Sequence, residues 1–281
     1  MEKSSSQYHS ENYWNRLHSN YQGSLKAVGQ TGLSLAYNDA KYRSENATFI
    51  NLVSAIPVQP ETVLELGVGT GFWTQQMFNL WGHSIKVTGI DVSGLAIEDL
   101  GNRLPEVRGI VGNLGTMSAD SFSGQFDCVT AIMVFLHITD DSQFLNALRL
   151  AARSVKKGGT LVIYEPMLSR NASPFRNPGY GSAHNTLRER LTFDSQLKIE
   201  GLRCIKKIDG STWLLNSPIE ANSMIFYGLM NAVWFFLSSS VYRLNWFMKV
   251  FTPALLKIDM FFKEKMLGRS GTFTLYQKSE K

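Results

Sequence analysis

The sequence predicts an α/β fold in which a mainly parallel sheet is covered by helices on both faces. Three observations lead to it: a buried strand that runs into a glycine-rich turn, strand and helix patterns that alternate to about residue 166, and an alternating strand near residue 275. The chain has 281 residues, of which 44% are apolar, and this is ample for a full core.

The segment 63–71 joins the first predicted strand to a tight turn. It opens with an apolar run, which is typical of a parallel strand buried on both faces, and closes with Gly67, Gly69 and Gly71. Glycines let the backbone turn sharply and approach a ligand closely. The segment Phe72 to Leu80 is compatible with a helix. A strand, a glycine turn and a helix N-terminus together predict a nucleotide-binding corner.

Three side chains indicate which nucleotide this corner binds. Phe72 stands where the dinucleotide fingerprint requires its third glycine, and this disfavours NAD. Glu65, two residues before the turn, suits a ligand that carries an ammonium group. Asp91 ends a second predicted strand, 85–90, where a carboxylate can accept hydrogen bonds from both hydroxyls of a ribose.

These residues resemble the first two motifs of the class I S-adenosylmethionine-dependent methyltransferases. Further along, 126–132 is similar to the fourth-strand motif, which an aspartate opens, and Lys157-Gly158-Gly159 is similar to the usual start of the fifth strand. The resemblance covers roughly residues 59 to 166. It implies a Rossmann-like seven-stranded sheet that binds S-adenosylmethionine, with the glycine loop on its methionine part and Asp91 on its ribose.

The resemblance also implies where the cofactor is contacted. The residues so identified are Tyr13, Glu65, Gly67, Gly69, Thr70, Gly71, Asp91, Val92, Asn113, Leu114 and Met133. Asn113 departs from the pattern, because related enzymes often have an acidic residue there to bind the adenine amino group. Tyr13 and Trp14 are similar to the aromatic part of an N-terminal lid, although packing within an amphipathic helix explains the pair as well.

The loop after the fourth strand is expected to meet the methyl acceptor. His137 is our first candidate for the general base, because the proton acceptor must titrate near neutral pH, and His184 is the second. A packing or capping role for His137 is an equal alternative. His184, Arg188 and Arg190 are expected on a helix that follows a loop, 171–181, rich in Pro, Gly, Ser and Asn.

The acceptor atom is expected to be oxygen. The sequence 132–135 reads Ile-Met-Val-Phe, which is not the Asn-Pro-Pro-aromatic or Asp-Pro-Pro-aromatic tetrapeptide associated with methylation of amino groups in nucleic acids. Methylation at carbon or nitrogen remains open. We predict no nucleic-acid partner, since neither a basic run nor a recognised binding module is present.

The chain divides into an N-terminal helical lid (1–58), a cofactor-binding core (59–213), a hydrophobic helical insertion (214–270) and a final strand with its tail (271–281). Residues 221–242 carry no charge. From Arg243 to Arg269 there are six basic residues and two acidic ones. The insertion is interpreted as a membrane span, as a membrane-surface element, or as a cap over a hydrophobic pocket or a dimer contact.

The predicted function is methyl transfer to a small hydrophobic acceptor in secondary-metabolite, quinone, glycan or lipid biosynthesis. A non-catalytic cofactor-binding subunit, whose insertion contacts a membrane or a partner, is the alternative. Cys128 and Cys204 have no metal-ligand spacing, so neither a metal site nor a disulfide framework is expected. The polar first twenty residues predict a cytoplasmic location, with peripheral membrane contact and homo-oligomer formation left open.

Overall fold

The computed structural model describes residues 8–169, 181–182, 184–210, 214–221, 223–265 and 268–280. The helices are α1 (Ser10–Asn20), α2 (Leu35–Val53), α3 (Phe72–Trp81), α4 (Gly94–Arg103), α5 (Asp141–Ser154), α6 (Arg190–Ile199), α7 (Met224–Ser239) and α8 (Asn245–Lys265). The strands are β1 (Thr62–Leu66), β2 (Lys86–Asp91), β3 (Arg108–Val111), β4 (Phe126–Ile132), β5 (Val155–Glu165), β6 (Gly181–Ser182), β7 (Asn185–Thr186), β8 (Leu202–Asp209), β9 (Glu220–Ala221), β10 (Gly268–Arg269) and β11 (Thr272–Lys278).

Seven strands form the central sheet, in the order β3-β2-β1-β4-β5-β11-β8. Strands β1 to β5 are parallel, and β11 lies antiparallel between β5 and β8. The predicted fold class is therefore confirmed, and the predicted final strand is β11. The strand order reverses between β1 and β4, and a crevice opens at such a point beyond the carboxyl ends of the strands.

Both faces of the sheet are buried, because successive side chains of a strand point to opposite faces. Leu64 and Leu66 belong to a core cluster shared with α5 and α6. Val63, the residue before them, belongs to a second cluster shared with α2 and α3. The apolar run of the first predicted strand thus serves two cores at once, as expected for a covered parallel sheet.

Within the N-terminal segment predicted to be helical, α2 begins at Leu35, because the Ser34 side chain accepts a hydrogen bond from the Tyr37 N–H at 3.1 Å and caps the helix there. One local prediction needs correction. The helix expected around His184 and Arg188 is wrong. Strands β6 and β7 pair there instead, and Leu168 exchanges backbone hydrogen bonds with Arg188 and Arg190, so that a helix begins only at α6. All but the last residue of the predicted loop 171–181 lies outside the described residues.

The insertion between β8 and β11 folds as the helices α7 and α8. It enters and leaves the core at one place, because β9 pairs antiparallel with β10. Helix α8 packs against α2, where the Ser44 hydroxyl donates a hydrogen bond of 2.8 Å to the buried Asp259 carboxylate. Lys263 of α8 also donates to the Ser44 and Thr48 hydroxyls, each at 3.0 Å. The insertion is therefore tied to the core by buried polar contacts as well as by packing.

Candidate active site

A cavity lies beyond the carboxyl ends of β1, β2, β3 and β4 and under helix α1. It encloses about 940 Å³, its open mouth included. Nine of the residues proposed from sequence lie on its wall: Gly67, Gly69, Thr70, Asp91, Val92, Asn113, Leu114, Met133 and His137. The fold therefore brings most of the predicted site to one place, although the chain spreads it over some seventy residues.

The glycine turn leaves no room for side chains. Gly67, Gly69 and Gly71 all have positive φ, at 68°, 50° and 69°. A Cβ on Gly67 would lie 2.5 Å from a methyl carbon of Val134, and one on Gly69 would lie 2.8 Å from a methyl carbon of Val28. Gly71 caps helix α3 and stands outside the cavity wall, so its contribution is to the shape of the turn.

Asp91 is bonded to the turn that it faces. Its carboxylate accepts hydrogen bonds from the Gly69 N–H and the Ser93 N–H, both at 2.9 Å. Burial raises the pKa of this carboxyl, and the two backbone donors act in the opposite direction. The side chain therefore links the glycine turn to the start of α4 and also borders the cavity, where ribose hydroxyls are expected.

Two buried polar atoms on cavity side chains have no hydrogen-bond partner in the part of the chain that the structure describes. They are the Thr70 hydroxyl and Nδ1 of His18. Buried polar atoms are nearly always paired, so these two indicate a polar ligand. Together with Asp91 and the glycine turn, they fit the hydroxyl and carboxylate groups of S-adenosylmethionine.

Helix α1 closes one side of the cavity. The Trp14 ring meets the His137 ring edge-on, with centroids 4.9 Å apart, and the Ser93 hydroxyl donates to the Asn15 side chain at 2.7 Å. His18 lies one turn after Trp14 on the same helix face and was not identified from the sequence. The signal that could have identified it is this spacing of four residues.

Tyr13 does not line the cavity, which corrects the sequence prediction. Its ring stacks on the His184 ring, with centroids 4.8 Å apart, and leaves the wall to Trp14. His184 is absent from the wall as well. Its backbone oxygen lies 3.1 Å from Nδ1 of His137. His184 therefore supports His137 instead of facing the ligand.

His137 is the cavity's candidate proton acceptor. Burial lowers its pKa to about 4, so the ring is neutral at neutral pH. Because a carbonyl oxygen can only accept, the bond to His184 assigns the ring proton to Nδ1 and leaves Nε2 able to take a proton. A neutral imidazole with this tautomer can act as a base, although a pKa this low makes it a weak one.

Glu165, at the end of β5, holds the loop that carries His137. Its carboxylate accepts the N–H groups of Val134 and Phe135 at 2.7 Å and that of Leu136 at 3.2 Å. Burial raises its pKa to about 8. Met133, just before this loop, has a φ of 57°, a value that L residues rarely adopt. No local sequence pattern indicates this positioning contact, because Glu165 and the loop are thirty residues apart.

Glu65 lies behind the glycine turn. It is buried outside the cavity wall and accepts a hydrogen bond from the Thr74 hydroxyl of α3. Burial raises its pKa to about 8. The expected direct contact with an ammonium group is therefore corrected: Glu65 connects the strand to the helix that follows the turn.

Helix α2 contributes two further residues that were not identified from the sequence. Tyr42 and Glu45 line the cavity from this helix. The Glu45 carboxylate pairs with Lys41 at 2.8 Å and accepts from the Tyr164 hydroxyl at 2.7 Å. The signal in the sequence is the Lys41–Glu45 spacing of four residues on one helix face, which reads equally well as an ordinary surface ion pair.

The comparisons agree with this geometry. Residues 63–159 match the family described as a methyltransferase domain. The strand order of the sheet and the glycine turn agree with that match, so this part of the chain is a methyltransferase domain. More particularly, it belongs to the class I S-adenosylmethionine-dependent superfamily. The recognition of that superfamily from sequence motifs is confirmed, and with it the cofactor that the superfamily uses.

Two curated relatives and one solved structure show how far the likeness extends. Demethylmenaquinone methyltransferase from Thermotoga maritima is 30% identical over 142 residues, which are 50% of this chain and 57% of that protein. Ubiquinone/menaquinone biosynthesis C-methyltransferase from Escherichia coli is 30% identical over 110 residues, which are 37% of this chain and 42% of that protein. This chain thus spans about half the length of the curated relatives it matches.

The solved structure is geranyl diphosphate C-methyltransferase from Streptomyces coelicolor A3(2), in complex with Mg²⁺, geranyl diphosphate and S-adenosyl-L-homocysteine. It superposes with a TM-score of 0.54 at 14% identity and covers 84% of this chain and 81% of that one. At this identity the likeness shows the fold alone.

Proposed function

We propose that this protein transfers the methyl group of S-adenosylmethionine to a small hydrophobic acceptor that carries an aromatic hydroxyl. One observation carries the proposal: a single cavity joins the glycine turn and Asp91 to aromatic walls and a neutral histidine. The two quinone-related relatives support an acceptor of this chemical class.

The cofactor half of the cavity is polar. Gly67 and Gly69 offer their backbone to the amino-acid part of the cofactor, Thr70 supplies a hydroxyl, and Asp91 with His18 faces the ribose. Asn113 and Leu114 border the place expected for adenine. When bound, S-adenosylmethionine supplies a methyl group made reactive by its positively charged sulfur.

The acceptor half is apolar, and it is bounded by Trp14, Tyr42, Phe72 and Trp73. Such walls exclude water and orient a flat ring, which is what an in-line methyl transfer requires. Removal of a phenolic proton raises the nucleophilicity of both the oxygen and the adjacent ring carbon. We assign the acceptance of that proton to His137, so this arrangement serves transfer to either atom, and we favour oxygen.

Calorimetry with S-adenosylhomocysteine and with NAD tests the cofactor assignment. We expect heat of binding from S-adenosylhomocysteine alone. The Gly69→Val variant is the matched control, because its Cβ would collide with Val28 in a backbone conformation that valine rarely adopts. Binding of NAD, or unchanged binding of S-adenosylhomocysteine by Gly69→Val, would contradict the assignment.

A transfer assay tests the acceptor class. Tritiated S-adenosylmethionine is incubated with hydroquinones of increasing side-chain length, and label that enters the organic phase is counted. We expect label in the apolar acceptors, and mass spectrometry then distinguishes an O-methyl from a C-methyl product. Cofactor binding with no transfer to any acceptor of this class would instead favour a non-catalytic cofactor-binding subunit.

A further inference from the structure

Helix α7 leaves an apolar face uncovered. Its exposed positions follow the helical period, and Ile225, Leu229, Phe235 and Phe236 lie on one stripe. Ile225 is 87% exposed and Phe235 is 72% exposed. The opposite face, with Met230 at its centre, packs into the protein. Scattered exposed apolar residues are common on protein surfaces, but a continuous stripe of large ones marks a contact surface.

Helix α8 repeats this arrangement. Trp246, Val250, Ile258 and Phe261 are exposed along its outer side, and Trp246 is 63% exposed. Its inner side places Met248 in a buried cluster against α2. Two successive helices thus use one face for the fold and leave the other apolar and uncovered.

The exposed charges that the structure describes on these two helices all have one sign. Between residues 223 and 263, where the structure describes every side chain, the exposed charged groups are Arg243, Lys249 and Lys257. The remaining two are the buried Asp259 and the partly buried Lys263, which lie 3.6 Å apart as an ion pair. An apolar face with exposed cations and no exposed anion is complementary to an anionic lipid surface, where acyl chains and negative headgroups occur together.

We propose that the outer faces of α7 and α8 bind the surface of an anionic lipid bilayer, with the aromatic and aliphatic side chains inserted at the headgroup level and the three basic groups paired with lipid phosphates. This binding requires neither cofactor nor methyl transfer. It also suits the proposed function, because α8 packs on α2, the helix that brings Tyr42 and Glu45 to the cavity.

The contacts favour a surface element over a membrane span. Residues Met224–Arg243 are long and apolar enough to cross a bilayer by length and composition. The Tyr242 side chain, however, is buried, and its hydroxyl donates to the Leu214 carbonyl at 2.6 Å, while the Ser34 N–H donates to the Tyr242 carbonyl at 3.0 Å. Helix α7 proper has 16 residues, about 24 Å at 1.5 Å per residue, which is shorter than a hydrocarbon core of about 30 Å.

Co-sedimentation with vesicles tests the proposal. The full chain is mixed with vesicles of phosphatidylcholine, alone or with phosphatidylglycerol, at about 0.1 M and about 1 M salt. We expect strong binding only to the anionic vesicles at low salt. The double variant Lys249→Gln/Lys257→Gln should weaken it about 25-fold, because each cation near the surface contributes about fivefold. Phe235→Ser/Phe236→Ser should weaken it at least about tenfold.

Matched controls come from surface positions outside the insertion. Lys86→Gln/Lys198→Gln removes two exposed lysines, and Val58→Ser/Ile199→Ser removes two isolated exposed apolar side chains. Neither pair should change vesicle binding. All these positions are exposed, so the variants should fold, and an unchanged melting temperature verifies it.

Four outcomes would overturn the proposal. The first is no binding to anionic vesicles at low salt, and the second is that the control variants weaken vesicle binding as much as the test variants do. The third is retention on the vesicles after alkaline carbonate extraction, which would indicate a membrane span. The fourth is a dimer in solution that Phe235→Ser/Phe236→Ser dissociates. Loss of methyl transfer with intact vesicle binding would count against the proposed function alone.

Discussion

Asp91→Ala tests the cofactor corner most directly. The wild-type carboxylate borders the cavity and accepts the Gly69 and Ser93 N–H groups at 2.9 Å. Alanine removes the acceptor expected for the ribose hydroxyls and also releases the bond that orders the glycine turn. Both losses weaken the binding of S-adenosylhomocysteine.

The size of the effect follows from the bonds removed. A hydrogen bond to a charged group contributes about 1.5–3 kcal/mol, and the raised pKa of the buried Asp91 shows that burial already offsets part of that gain. We therefore expect a net loss of about 1–3 kcal/mol of binding free energy, which corresponds to a dissociation constant about 5 to 150 times higher. Asp91→Asn keeps one acceptor oxygen and should lose less than Asp91→Ala.

Isothermal titration with S-adenosylhomocysteine measures this loss, and Asp127→Ala is the matched control. Asp127 is a structural aspartate at the opposite end of the parallel strands, where it accepts from the Thr62 N–H at 2.9 Å and from Lys156 at 2.7 Å. That variant should melt at a lower temperature and still bind the ligand normally. Unchanged affinity in a folded Asp91→Ala protein would refute the assignment of Asp91 to the ribose.

Three further outcomes are expected. Gly67→Val should abolish S-adenosylhomocysteine binding, because its Cβ would lie 2.5 Å from a methyl carbon of Val134 at a φ of 68°. A calorimetric titration with unchanged affinity would contradict the role of the glycine turn in cofactor binding. Glu65→Gln should reduce the pH dependence of stability. The folded-state pKa of Glu65, about 8, lies above the unfolded value of 4.5, so its contribution to wild-type stability is full below about pH 4.5 and is lost as pH rises through 8. Denaturant unfolding near pH 5 and near pH 9 should therefore show a smaller loss of stability in the variant than in the wild type. Glu165→Ala should lower the free energy of unfolding by about 2–4 kcal/mol, because it leaves three loop N–H groups without their acceptor. It should also lower kcat more than it lowers cofactor affinity. An unaltered kcat would argue against a positioning role.

The neutral state of His137 adds one expectation about activity. With a pKa lowered to about 4, the ring should stay unprotonated down to about pH 5, so a loss of kcat on acidification should begin well below the usual histidine range. His137→Gln should lower kcat and remove that acidic limb, as pH profiles of methyl transfer would reveal. A limb that persists in the variant would assign the titration to another group.

Local sequence patterns were enough to predict most strands of the sheet. Strand β4 has the predicted bounds, 126–132, because its apolar run is a signal carried by a few neighbouring residues. The corner from β1 to α3 was predictable for the same reason. The segment 181–190 was not, because its conformation follows from backbone pairing with Leu168, which no short-range pattern encodes.

The site divides in the same way. The positions of Gly67, Gly69 and Asp91 on the cavity wall were predictable, because strand ends and glycine spacing are local features of the sequence. Glu45, Glu165 and His18 were not, since each reaches the site from an element whose packing position is set by the whole fold. Tyr13 and Trp14 show the limit clearly. The sequence predicted an aromatic lid, but the packing of α1 against the rest of the protein decided that Trp14 faces the cavity and Tyr13 faces His184.

The sequence by itself determined the α/β class, the cofactor corner and the presence of an apolar insertion, because periodicity, glycine spacing and the absence of charge are properties of neighbouring residues. Only the tertiary structure decided which face of each inserted helix is buried. Met230 and Phe235 are both apolar members of α7, but packing against the protein buries the first completely and leaves the second 72% exposed. Hydrophobicity is a property of a side chain, whereas burial depends on what the rest of the chain places beside it.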